Sequence, residues 1–384
     1  MQKLFFDLIK VAIGVHHDIS KPVSADEWKI LYDMAQKQAI LGVCFYGVQE
    51  LRKKESISVQ FLPEPLFSKW LGKVAQIQQR NEAIDKLSAR AWKRLESAGL
   101  SAAILKGQGL GLLYGELASL RQSGDIDIWV KGGFDKVNCF VQRTCPTLNF
   151  AYHRFHYNIY KGVEVELHHR PTLMRNLFDN RRLQAWCESI PFDNFEMTNK
   201  GFLTPSLHFN RIFVLTHIYR HFLFEGIGMR QIMDYYFVLK AECMSQNEKD
   251  DIMVLLKKFR LERFTSAMMW IMQEVFELNT DHLLCCPNQQ EGTFVLHEVM
   301  QTANFGQGEI RYKGFSTIKR MSYHGVHLLS HYPSEVIWTP IWLVYHKIWK
   351  TIKRKKSKHL LNKEILCTNT FSNDFLISGL RLLH

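Results

Sequence analysis

Ser101 to Val130 is the stretch that most limits what this chain can fold into. It reads SAAILKGQGLGLLYGELASLRQSGDIDIWV. The apolar run Ala102–Leu105 predicts a short buried strand. Lys106-Gly107-Gln108-Gly109-Leu110-Gly111 follows as a glycine-rich turn, then a helix-like piece, then a second strand, Asp125 to Val130. Alternate side chains of a strand share a face, so Asp125, Asp127 and Trp129 point one way and Ile126, Ile128 and Val130 the other. Carboxylates two positions apart on one strand lie about 7 Å apart. Facing out beside a glycine turn, such a pair can hold Mg²⁺ next to a phosphate, because backbone N–H groups of the turn bind phosphate oxygens without steric cost.

The flanks are helical. Leu4, Leu8, Val11 and Ala12 recur at helix spacing. Ser24-Ala25-Asp26-Glu27 has the form of a capping box opening an apolar-periodic run from Trp28 to Leu51, with Gly42 marking a break or a close approach. A long helix is expected from Leu66 to Ala98, stopped by Gly99. Beyond the centre, Pro205-Ser206 starts a helix, Met229–Ala241 forms another, and Asn247–Leu278 holds two more. Cys285–Gly308 reads as irregular, and helix resumes over Arg311–Ser330. The expectation is an α+β chain in three parts: a helical region 1–98, a core with a small mixed sheet at 99–200, and a helical region 201–384 with a basic tail.

Composition narrows the partners. The formal charge of +12 favours anionic ones. Eight scattered cysteines without a CxxC pair argue against a zinc ribbon and suggest a reducing, cytoplasmic setting. No run reaches 18 uninterrupted apolar residues, so no membrane-spanning helix is expected, and the amphipathic N-terminus does not read as a signal peptide. Gly107-x-Gly109-x-Gly111 ends on Leu112 and fails the dinucleotide fingerprint, and His297-Glu298-Val299-Met300-Gln301 fails HExxH.

A second strand pair supplies a third carboxylate. Tyr152–Tyr160 alternates as a strand, Lys161-Gly162 reads as a hairpin turn, and Val163–His168 is the partner. Val163, Val165 and Leu167 face inward; Glu164, Glu166 and His168 share the other face. Leu105-Lys106-Gly107-x-x-Leu110, Tyr114 and Arg121-x-x-Gly124-Asp125-Ile126-Asp127 together resemble the polymerase-β-type nucleotidyltransferase superfamily. In particular they resemble a bacterial family of uncharacterised nucleotidyltransferases with the pattern LKG, tyrosine, R-x-x-GDID and a later strand ending acidic-x-His.

The resemblance implies transfer of a nucleoside monophosphate from an NTP to a hydroxyl, with two Mg²⁺ ions. It makes Asp125, Asp127 and Glu166 the catalytic metal ligands. Glu166 stands where the family more often has Asp, and Glu164 on the same face is an alternative. Lys106, Gly107, Gln108, Arg121 and Gly124 become the nucleotide-binding set, with Gln108 where many superfamily members carry Ser or Gly. The acceptor is a small molecule, a sugar, RNA or a protein. The alternative is a catalytically degenerate nucleotide-binding or regulatory protein on the same scaffold.

Outside this centre, His217 and His221 stand at i, i+4 on one helix, a spacing that permits metal binding, though no third ligand is evident. Arg230 and Asp234 share the same spacing, which suits an intrahelical ion pair. With His168 they are candidates for the wall of the acceptor pocket, a role the family resemblance implies for these helices. Residues 335–358 turn from aromatic to basic, through Lys347, Lys350, Lys353, Arg354, Lys355, Lys356 and Lys358. Three roles stay open for this segment: a solvated helix end, an amphipathic contact with a membrane surface carrying Trp338, Trp342, Tyr345 and Trp349, or nucleic-acid binding.

Overall fold

In the computed structural model the α+β class holds: helices surround one small mixed sheet. The structure describes residues 1–19, 21–145, 149–160, 162–306 and 325–379, with the side chains of the last helix as far as 357. The four-stranded sheet has the order β1-β2-β4-β3, from β1 (Ala102–Ile104), β2 (Ile126–Val130), β3 (Arg154–His156) and β4 (Val165–His168). β1 runs antiparallel to β2, β2 parallel to β4, and β3 antiparallel to β4. The parallel register sets Asp127 opposite Glu166 and Trp129 opposite His168.

Both faces of the sheet are covered. Ile104, Ile126, Ile128, Val165 and Leu167 form one core with Val137 and Val141 of α6 (Gly133–Thr144). On the other face Trp129 stacks on Phe209 of α8 (Leu207–Phe224), 5.2 Å between ring centres, and joins the main helical core. That core unites α1 (Gln2–Ala12), α2 (Ala25–Lys37) and α3 (Leu41–Lys53) with α8, α9 (Met229–Lys240), α10 (Gln246–Lys258) and α11 (Glu262–Phe276). A Lys10–Glu277 ion pair at 2.7 Å also joins α1 to the end of α11.

The helix α4 (Glu64–Ser97) is the spine beside the sheet. Its 34 residues correspond to about 50 Å of rod. Trp70 Nε1 donates to Leu41 O at 2.9 Å and Trp92 Nε1 to Ala102 O at 2.7 Å. Between them, Asn81 Nδ2 donates to Ser119 O at 2.8 Å and Arg121 O at 2.7 Å. Gly99, at φ +72°, follows α4 in the left-handed conformation that glycine tolerates best.

Several local expectations need correction. Trp28–Leu51 is two helices, and the break falls at Ala39 (φ +56°). Gly42 is instead a close approach, since a Cβ there would collide with the carbonyl oxygen of Leu120. The Ser24 capping box forms as expected. The strand expected over Tyr152–Tyr160 shrinks to β3, because Tyr152 turns out to pack its ring on Trp349 (5.0 Å) and its hydroxyl against Asn180. After the glycine turn comes only a short α5 (Gln108–Gly111) and then a 3₁₀ stretch, Leu112–Leu120, kinked at Gly115 (φ +56°).

Farther on, α7 (Leu177–Ser189) precedes a two-stranded ribbon, β5 (Glu196–Met197) and β6 (Leu203–Thr204). Cys285–Gly308 is not irregular throughout: α12 (Gln289–Thr302) lies within it, capped by Asn288 Oδ1 accepting from Glu291 N. Gly292 is what lets α12 lie against the Trp270 ring, and that glycine had blurred the helical pattern. Of the helix expected over Arg311–Ser330, residues 307–324 lie outside the described residues and 325–328 are helical. Lys161 of the expected hairpin turn also lies outside them, while Gly162 has φ +82°. The last helix is α13 (Pro333–Gly379).

Candidate active site

The two strands that carry the acidic residues run parallel and adjacent, so Asp127 and Glu166 meet on one face. Both are buried, Asp127 at 1% and Glu166 at 3% exposure. Asp125, one residue before β2, lies at the lip with 38% of its side chain exposed. His168 stands between the buried pair: Nε2 is 2.7 Å from Asp127 Oδ1 and 3.3 Å from Glu166 Oε2. It thus joins the carboxylate cluster.

Each buried acid has a cation beside it. Lys106 Nζ lies 3.0 Å from Asp127 Oδ2 and 3.8 Å from Asp125 Oδ2. Arg154 Nη1 lies 2.9 Å from Glu166 Oε2. Burial alone would raise the Asp127 carboxyl, but Lys106 and His168 outweigh it and hold the group well below the usual carboxylate range. Burial opposes charge on His168 and Lys106 too, yet the surrounding acids raise both above their ordinary values. Asp127 Oδ2 and Glu166 Oε2 face their cations without hydrogen-bond alignment, so each buried oxygen retains a lone pair for a further ligand.

These donors fit a divalent ion. One ligand atom each from Asp127, Glu166 and His168 lies within 4.8 Å of the others, and so does a second set from His156, Glu164 and Glu166. Carboxylate oxygens suit Mg²⁺ and Mn²⁺, and Asp125 adds an exposed oxygen at the rim. Glu166 belongs to both sets, and Glu164, half exposed, is bound to His156 at 2.7 Å.

The turn after β1 supplies the other half of the centre. Gly107 adopts φ +65°, ψ −110°, a conformation costly for any residue with a Cβ. Gly109 has no room for one, since Thr204 Oγ1 and Ile104 O crowd it. Gln108 turns inward and its amide donates to Asp85, so its side chain does not reach the cleft. Arg80 of α4 holds the carbonyls of Ser123 and Gly124, and Asn81 holds that of Arg121. The loop before Asp125 is therefore braced from α4, through residues whose role no local pattern announced. Arg154 was missed as well. Its position beside inward-facing Phe155 in β3 was the signal that put it on the acidic face.

A cleft partly open to solvent runs from this turn to α8 and α9. Lys106, Gly107, Asp125, His217 and Arg230 line it, with Arg121 and Asp234 at its floor. The spacing of Arg230 and Asp234 suggested a pair within α9. Asp234 instead accepts from Arg121 Nε and Nη2 and from Tyr114 Oη, each at 2.7 Å. Arg121 thus braces the loop against α9, and Arg230 Nη1 reaches Gln122 O at 3.0 Å. His217 faces the cleft; burial, with His221 and Lys106 nearby, pushes it well below the ordinary histidine value, so it is neutral at pH 7. His221 is paired with Glu225 at 2.6 Å and does not line the cleft, and among the described residues no three-ligand cluster includes either histidine.

A family model described as "uncharacterised nucleotidyltransferase" matches residues 24–277, about two-thirds of the chain. Comparisons with curated proteins and with solved structures return no match.

Proposed function

Because the chain belongs to the family of uncharacterised nucleotidyltransferases, we propose that it moves a nucleoside monophosphate from an NTP to a hydroxyl acceptor, with Mg²⁺ held by Asp125, Asp127 and Glu166. The observation that carries this is the placement of Asp127 and Glu166 side by side on parallel strands, with Lys106 joining Asp127 to Asp125, which lines the cleft beside the Gly107 turn. Bound Mg²⁺ supplies charge neutralisation along the triphosphate and makes the acceptor hydroxyl more acidic. The protein's own groups do the rest. Lys106 offers a cation to the phosphates from within the cleft, and the Gly107 turn brings backbone N–H groups to them. In the transfer, the acceptor oxygen bonds to the α-phosphorus, the bond to pyrophosphate breaks, and the hydroxyl proton leaves to a carboxylate. We assign the proton to Glu166, the third carboxylate of the set, on the strand beside the one that carries Asp127. Neutral His217, which lines the cleft, serves as a hydrogen-bond partner for the acceptor.

The test is incubation with labelled NTPs, Mg²⁺ and candidate acceptors, followed by pyrophosphate release. Asp127→Ala must abolish release, and unchanged release would remove Asp127 from the site. A second function is favoured by one observation: Lys106, Arg154 and His168 already compensate the three acids. A nucleotide-binding regulator on this scaffold would bind NTP with Mg²⁺ and release no pyrophosphate with any acceptor.

A further inference from the structure

We propose that the outer face of α13 docks on an anionic lipid surface. The aromatic residues expected to meet a membrane divide instead between two faces of this helix. Trp342 and Trp349 turn inward, where Trp349 packs on Phe134, Tyr152 and His169 and Trp342 on Tyr152. Glu335, at the start of the helix, accepts from the backbone N–H groups of Arg175 (2.7 Å) and Asn176 (3.1 Å). Lys353 and Lys356 pair with Asp135. The inward face is thereby fixed to the sheet domain.

The opposite face is apolar and open. Ile337, Ile341, Val344, Ile348 and Ile352 are each between 48% and 61% exposed. Their steps of three and four residues keep them on one stripe, about 22 Å long. Phe178 of α7, 63% exposed, extends the patch sideways through an edge contact with Trp338 at 5.4 Å. Aliphatic residues on a fully solvated helix face have no reason to align in this way, and so continuous a patch marks an interaction surface.

Charge decides the occupant. From 336 to 358 the chain carries seven basic residues and no acidic one. Lys347 and Arg354, seven positions apart, run along one side of the stripe, and Lys355 stands at its end; all three are exposed. Two copies packed through this face would bring these cations together without a compensating acid, whereas an anionic bilayer offers both hydrocarbon for the stripe and phosphate for its rim. RNA would satisfy the rim and leave the isoleucines in water. The helix lies on the surface: no helix among the described residues is long and apolar enough to cross a membrane.

The experiment is vesicle flotation of the full-length protein, with phosphatidylcholine vesicles against vesicles containing about one-third phosphatidylglycerol. We expect flotation with the anionic vesicles alone, weakened by raised salt. The exposed Ile341→Asp/Ile348→Asp pair should cut partitioning by roughly tenfold or more, since two half-buried isoleucines are withdrawn from hydrocarbon. Lys347→Glu/Arg354→Glu should reduce it independently, and thermal melts of each variant report that the fold is kept. Equal flotation of the Ile variant would overturn the proposal. So would absence of flotation, a dimer in light scattering that the Ile→Asp pair dissociates, or RNA binding that is insensitive to the Ile→Asp pair in a protein that does not float.

Discussion

Removing the negative charge of Asp234 by Asp234→Asn tests how the site loop is held. Arg121 and Asp234 are 4% and 7% exposed and share two hydrogen bonds of 2.7 Å, with Tyr114 supplying a third. Asn keeps the shape but leaves the Arg121 guanidinium buried without its counter-charge. Breaking one side of such a pair costs about 3–5 kcal/mol. Hydrogen bonds to charged groups contribute about 1.5–3 kcal/mol each, and three of them exceed that total only because they are not additive. With an unfolding entropy of about 2 cal/mol/K per residue over a chain this size, about 4 kcal/mol lowers Tm by about 5 °C. Urea denaturation of Asp234→Asn, Arg121→Met and the double Arg121→Met/Asp234→Asn closes the cycle. The double variant should recover much of the loss, because neither charge is then buried alone. A loss under about 1 kcal/mol for Asp234→Asn, or a double variant as unstable as the sum of its parts, would refute the role given to this pair.

Glu335 sets a pH dependence: burial raises its carboxyl to about 7 despite the two backbone N–H groups it accepts. A carboxyl raised on folding stabilises fully below its unfolded value near 4.5, and that stability is lost as pH rises through 7, about 3 kcal/mol in all. From pH 5 to pH 8 the native chain should therefore lose stability relative to Glu335→Gln, read as the change in denaturation midpoint of each; parallel curves would exclude Glu335 as a source. Gly42→Ala forces a methyl onto the Leu120 carbonyl and should cost about 1–3 kcal/mol by thermal melt, with no loss meaning that α3 and the Leu120 loop can move apart. Mn²⁺ titration followed by paramagnetic resonance should show Asp127→Asn weakening the ion by about tenfold or more, while Asp193→Asn, an exposed acid in neither ligand set, leaves it unchanged.

Much of the centre was legible because its cues are local. The strand, glycine turn and second strand around Gly107 and Asp127 fall within thirty residues, and alternation alone puts Glu166 and His168 on one face of β4. The partners of these acids were not legible, since they depend on strand order. Arg154 reaches Glu166 only because β3 pairs with β4, and Asp234 reaches Arg121 only because α9 packs beneath the loop. The spacing of Arg230 and Asp234 described one helix faithfully and missed the stronger bidentate partner arriving from elsewhere. For α13 the composition was visible, but which face docks depends on Tyr152 and Phe134, far back in the chain.

The anchors of α4 have a consequence for how this chain can vary. Trp70, Asn81 and Trp92 stand eleven positions apart, close to three helical turns, so their polar tips line one side of the rod like marks on a gauge. Each mark is tied to a main-chain carbonyl, and carbonyls survive any change of side chain at Leu41, Ser119 or Ala102. Substitution at those places is thus tolerated while length is not. One residue inserted between two marks would rotate everything beyond it by about 100°. Asn81 and Trp92 could then no longer hold the Arg121 loop and β1 in the same frame. In this protein the metrology of the centre is kept by counting residues along a helix that supplies no reacting group.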